Sequence, residues 1–289
     1  MSYTLHAGKV VAKRRIYETL ITPGFYIAAS FGLIAGYILV QGFTRCIDTG
    51  GINFTLNPVY SRITELLSGL FGVSFVEKLF SKGPFPFAFL CAVLPVFFYL
   101  PFSSAYQFGF EKSVGALELM VYGPVRSLSI ALAFFLKDLI FILAYSGFLV
   151  LFFSVSALIH NLSLDVVFFQ SVFLTVFLAS GMYSYNILSS ALTEHPASSL
   201  LMFFGFILLF SIVEIGNLAM TGEYVRNLSR VFSWIVQWFS PVFYWVMGLQ
   251  AAEYGNLPIQ LLSAGSLLAL SASLILLSHI AFSARGVRA

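Results

Sequence analysis

Between Phe25 and Phe43 the chain carries no charged residue, and comparable apolar runs recur at Phe85–Gln107, Leu128–Phe153, Val166–Leu188, Ser199–Met220 and Ile259–Phe282. A bilayer hydrocarbon core about 30 Å thick needs roughly 20 apolar residues in helical form. Inside lipid the backbone N–H and C=O groups find no water, so each run must satisfy them internally as α-helix. The runs therefore predict an all-α, polytopic integral membrane protein with six transmembrane helices. Composition agrees with this: 59% of the 289 residues are apolar and 9% are charged, against roughly 25% charged in soluble domains. So few charges could not keep a globule of this size in water.

The segments between the spans add detail. Residues 1–22 interleave Lys9, Lys13, Arg14 and Arg15 with Val10, Val11, Ile16, Tyr17 and Leu20, a spacing that predicts an amphipathic helix on the membrane surface. Because these residues are polar and basic, the first span is expected to serve as its own uncleaved insertion signal. In the loop 44–84, Ile63, Leu66, Leu67 and Leu70 fall on one helical face, but Arg62, Glu65, Glu77 and Lys78 make the segment too charged to cross. Asp165 stands where an N-cap of the fourth span would. Residues 221–257, with Trp234, Trp238, Trp245 and Ser240-Pro241, predict re-entrant or interfacial helices between spans five and six rather than a seventh span.

Orientation follows from the basic residues near span ends. Lys9, Lys13, Arg14, Arg15, Lys112, Arg126, Arg285 and Arg288 fall on one side, which is therefore expected to be cytoplasmic together with both termini. The chain reads as a single domain over 1–289, without an internal repeat. Cys46 and Cys91 show no metal-ligand spacing. They are either isolated thiols or a pair near the outer face.

Several chemistries find no support. No GxxxxGK[ST] phosphate loop, HExxH or GxSxG pattern occurs, and His6, His160, His195 and His279 are scattered. The basic residues form no aromatic-interleaved stripe, so a nucleic-acid partner has no footprint here. No catalytic, cofactor or metal site is expected in this chain.

The stretch Phe110–Arg126 is different. It holds Glu111, Lys112, Glu118 and Arg126 between spans two and three, with Gly115 and Gly123-Pro124 as punctuation. Seven residues apart, Glu111 and Glu118 would share a face if the segment were helical. Gly115 permits a bend or a close backbone approach, and Pro124 would stop the helix before the third span. Such an element suits the docking of a soluble partner, and equally an ordinary solvated connection.

This segment resembles the first cytoplasmic loop of the ABC-2 family of transporter permeases. There an acidic pair, a Gly-Thr-Leu-Glu core and a Pro-containing turn precede the third span. Here the core reads Gly115-Ala116-Leu117-Glu118, the acidic pair is reduced to Glu111-Lys112, and the turn is Gly123-Pro124. The basic N-terminal segment resembles the family's connecting helix, and Ser190-Ala191-Leu192-Thr193-Glu194-His195 resembles a recurrent element before span five. Phe239-Ser240-Pro241 with Gly248-Leu249 resembles the outer helical hairpin. The gliding-motility and multidrug-type branches look closest.

The resemblance implies a permease subunit of an ATP-binding-cassette exporter in a bacterial inner (plasma) membrane. It would pair with a second copy or a paralogue and dock on a separate cytoplasmic ATPase, which binds ATP and Mg. Residues 108–127 would form the coupling loop, with Glu111, Gly115, Glu118 and Pro124 in the coupling element and Lys13, Arg14 and Arg15 in the supporting helix. Independently, Glu214, Lys137 and Asp138 lie within spans, where charges are costly and by default suggest a pathway or a pair. The rival readings are a non-transporting membrane scaffold of an ATPase complex and a polytopic enzyme acting on lipid.

Overall fold

The computed structural model describes residues 2–48, 51–71, 76, 80, 82–115, 127–219, 234 and 236–285. Helix α1 (Ser2–Ile21) leads through Thr22 into α2 (Pro23–Thr44). A two-residue antiparallel ladder, β1 (Ile47–Asp48) with β2 (Gly51–Ile52), pairs Ile47 with Ile52. A 3₁₀ turn (Phe54–Leu56) and α3 (Pro58–Phe71) follow. Then come α4 (Phe85–Ser113), α5 (Ser127–Ile159), α6 (Val166–Leu192), α7 (Pro196–Ala219), α8 (Pro241–Glu253) and α9 (Leu257–Arg285).

Six of these helices, α2, α4, α5, α6, α7 and α9, are long and apolar enough to cross a membrane. The chain is a multi-pass helical membrane protein. Helix α8, at 13 residues, reaches only about 20 Å and falls short of the hydrocarbon core. Residues 220–233 and 235 of the segment expected between spans five and six lie outside the described residues.

Local chemistry sets the boundaries. Pro23, Pro58, Pro196 and Pro241 each open a helix, where the missing N–H is not needed and φ is already helical. The Asp165 carboxylate accepts from Val166 N at 2.6 Å and caps α6 as the sequence suggested. Asn57 Oδ1 accepts from Val59 N at 2.9 Å to start α3. On α3, Ile63 and Leu67 pack on the core, whereas Leu66 is exposed, so the expected apolar face is narrower than the spacing implied.

Helix α6 is the axis of the bundle, packing on α4, α5, α7, α8 and α9. Helices α2 and α4 pair closely because Gly32 and Gly36 lie against Ala92. A Cβ at Gly32 would collide with the Ala92 carbonyl oxygen and the Tyr145 hydroxyl. This Gly-x-x-x-Gly pair brings two backbones together as in other membrane helix contacts. Tyr145 donates to Ala29 O at 3.0 Å, with Ala92 O at 3.2 Å, and ties α5 to both.

Contacts sort the loops to two ends. At one end Lys112 Nζ donates to Thr193 O at 2.8 Å, Gly109 abuts Pro196, and Phe108 meets Phe282 at 5.2 Å between ring centroids. At the opposite end Lys82 Nζ lies 3.6 Å from Asp165, and Phe43, Phe54, Tyr60 and Phe80 nest together. There the buried Tyr60 hydroxyl donates to Leu39 O at 2.9 Å. Burial, which disfavours the phenolate, pushes Tyr60 well above its ordinary value of 10.0. Cys46, also buried at this end, and Cys91 are both free thiols.

Candidate functional site

Two expectations about the junction between α1 and the bundle need correction. The basic and apolar residues of α1 do not segregate onto opposite faces. Val10, Tyr17, Leu20 and Ile21 are exposed together with Lys9, Lys13 and Arg14, while the edge turned to the bundle carries the buried Arg15 and Thr19. The polar stretch beginning at Phe110 is also not a separate helix from its start. Helix α4 runs on through Ser113 and then stops: Val114 N donates to Phe110 O at 3.0 Å, and Gly115, with φ +72°, donates to Lys112 O at 3.2 Å. A glycine in the left-handed region just past the last turn is a common helix terminator. The helical face imagined to join Glu111 to Glu118 is therefore interrupted at Gly115. Glu118 and Pro124 themselves lie outside the described residues.

Glu111, in the last turn of α4, is buried and forms an ion pair with Arg15 Nη2 of α1. Arg15 Nη1 also donates to Glu18 Oε2 at 2.7 Å, and Glu18 Oε1 accepts from Arg14 Nε at 2.8 Å. The Arg15 guanidinium stands over the Phe134 ring of α5, 4.9 Å from its centroid. One arginine thus fastens three helices, and the planar fork of guanidinium suits that task better than a lysine. Burial pulls Arg15 below the usual guanidinium value, and the Glu18 charge works against that shift. Burial pushes the Glu18 carboxyl up, but the Arg14 hydrogen bond and the Arg15 charge more than offset it, so Glu18 sits below its ordinary 4.5.

A second group lies deeper. Lys137 and Asp138 of α5 are both fully buried, and both reach Ser104 of α4. Lys137 Nζ donates to Ser104 Oγ at 2.7 Å, Ser104 donates to Asp138 Oδ2 at 2.6 Å, and Nζ lies 3.1 Å from Asp138 Oδ1. Consecutive residues on a helix point about 100° apart, and the serine between them closes the gap. Lys137 Nζ is also 6.0 Å from the Phe134 centroid, so that ring stands against both cations.

Just beyond, Pro101 interrupts α4. Lacking an N–H, it leaves the Phe97 carbonyl without its helical donor. The Tyr183 hydroxyl of α6 donates to that oxygen at 3.4 Å, and Asn186 Nδ2 donates to Pro101 O at 3.0 Å. The proline, the two α6 polar groups and the Ser104–Lys137–Asp138 triad therefore form one polar seam where α4, α5 and α6 meet.

Of the sequence candidates, Arg15 and Glu111 come together, as do Lys137 and Asp138. Lys13 and Arg14 remain exposed on α1, and Glu214 is buried near the end of the apolar run of α7, away from both groups in sequence. Ser104, Phe134, Tyr183 and Asn186 were not anticipated, since nothing in a lone serine or phenylalanine within an apolar run marks it. Glu18, three and four residues after Arg15 and Arg14, was legible as a helical ion-pair partner. Among the described residues no group of His, Cys, Asp and Glu could hold a metal ion. Comparison of the chain with family models, curated proteins and solved structures finds no match.

Proposed function

We propose that this chain is the membrane-spanning permease subunit of an ABC-2-type exporter, energised in trans by a cytoplasmic ATPase that binds ATP and Mg. The observation that carries this reading is the Arg15–Glu111 pair. It fixes α1 to the last turn of α4, inside the loop 108–127 that the sequence resemblance assigns to ATPase coupling. A partner pressing on that loop would push on α4 and, through Arg15 and Phe134, on α1 and α5 together. Coupling by contact requires such stiffness at the point of loading. In this reading the end carrying α1 faces the cytoplasm, Arg15 and Glu111 hold the platform, Lys13 and Arg14 belong to the supporting helix, and Gly115, Glu118 and Pro124 lie at or beside the docking surface. A second copy or a paralogue would complete the translocation pathway.

The test is co-purification in mild detergent. Wild type is expected to bring down an ATPase subunit, and a Glu118→Lys variant is expected to insert normally while losing it. Vanadate-sensitive solute movement in liposomes carrying both subunits would then separate a permease from a scaffold. Recovery of wild-type protein without any ATPase, or unchanged association and transport in Glu118→Lys, would defeat the proposal.

A further inference from the structure

The outward arc of α1 is unlike the rest of the surface. On a helical projection Lys9, Leu20, Lys13, Tyr17, Val10, Ile21 and Arg14 follow one another around less than half the circumference, all exposed. The arc contains no acid: Glu18 lies on another face, taken up by Arg14 and Arg15. Lys9 and Lys13 have no acidic partner among the described residues. A helix in water gains nothing from exposing Tyr17 and Ile21, and a helix buried in hydrocarbon could not hold two unpaired ammonium groups.

Position resolves this. Helix α1 runs directly into the span α2 at Pro23. Its Arg15 stands over Phe134, which lies about 10 Å along α5 from Ser127. The helix is therefore held beside the end of the bundle, not beneath it, and its outward arc meets the leaflet. There the apolar side chains enter the acyl region while the lysines extend toward the headgroups, as long cationic side chains do at membrane boundaries.

We infer that this arc is a binding surface for anionic phospholipid headgroups, with Lys9 and Lys13 as the cations that select them. The inference stands whether or not an ATPase docks on the chain. Each basic residue close to an anionic bilayer surface favours binding about 5-fold, so the pair contributes roughly 30-fold.

The experiment is hydrogen exchange of the α1 amides in the full chain, reconstituted in nanodiscs of phosphatidylcholine alone or mixed with phosphatidylglycerol. Exchange over residues 9–21 is expected to slow by up to about 30-fold with phosphatidylglycerol. The effect should fade at about 1 M salt, where screening acts within about 3 Å. Lys9→Gln/Lys13→Gln should abolish the difference between the two bilayers with α4 and α6 exchange unchanged, and Lys9→Arg/Lys13→Arg should preserve it. Equal exchange in both bilayers would overturn the inference, as would a phosphatidylglycerol effect that survives the glutamine pair. So would equal protection from inorganic phosphate added to phosphatidylcholine nanodiscs, which would mark a free-anion site.

Discussion

Replacing Glu111 by glutamine keeps the shape and one acceptor oxygen while deleting the charge opposite Arg15. Both partners are buried, with side-chain exposures of 3% for Arg15 and 11% for Glu111. Removing one member of a buried pair typically costs about 3–5 kcal/mol, because the other charge is stranded. Arg15 is not fully stranded here: Glu18 remains at 2.7 Å and the Phe134 ring at 4.9 Å. The expected loss is therefore below the low end, about 2–2.7 kcal/mol, which raises the undocked population of α1 some 30- to 100-fold. Trypsin reads that population, since the Lys13 and Arg14 peptide bonds can be cut only when the helix opens and cleavage of a rapidly opening segment tracks its open fraction. Initial cleavage at these bonds should accelerate by the same 30- to 100-fold factor, with cleavage elsewhere unchanged. In an Arg15→Met background, Glu111→Leu should bring the rate back toward wild type by removing the stranded acid. A Glu111→Gln protein cut at Lys13 and Arg14 no faster than wild type would show that the pair does not hold α1, and the mechanical argument built on it would fall.

Other consequences can be checked separately. Gly32→Ala should lower thermal stability in detergent by about 1–3 kcal/mol through backbone displacement. Gly147→Ala should leave stability unchanged or raise it, because nothing lies within 4 Å of a Cβ at Gly147, and equal effects would contradict the close α2–α4 approach. Lys137→Met and Asp138→Asn should each destabilise strongly, and an apolar pair replacing both should lie nearer wild type than either. A double variant no better than the worse single would refute the triad. Finally, since the Glu18 carboxyl is depressed below 4.5, its contribution to docking is present above that pH and lost as pH falls through the folded-state value. Pepsin cleavage near Leu20 should therefore rise at low pH in wild type, and the step attributable to Glu18 should be missing in Glu18→Gln.

Much of the architecture could be read from residue order because lipid enforces a simple rule. Runs such as Phe25–Phe43 had only the helix as a solution, and prolines and Asp165 marked where helices begin. What could not be read was lateral placement. Nothing in the spacing of Glu111 indicated that Arg15, 96 residues away, would neutralise it. The same holds for Ser104, whose role arises only because the Pro101 region of α4 packs against α5 and α6. Helix ends were misjudged where polar residues continue a helix beyond the apolar run, as at Phe108–Ser113. The mixing of basic and apolar residues on the outward arc of α1 was not legible, because counting such residues along a segment does not reveal which of them face the bundle.

The Phe134 ring has one further consequence. It is set against a guanidinium that arrives from α1 and an ammonium that belongs to the interior of α5. A ring has a single quadrupole, fixed by its plane, so both cations are oriented by the same two torsions. A substitution that removes the ring therefore takes the same aromatic neighbour from Arg15 and from Lys137 at once. The junction of α1 with the bundle and the buried triad thus share one side chain, although they lie on different helices.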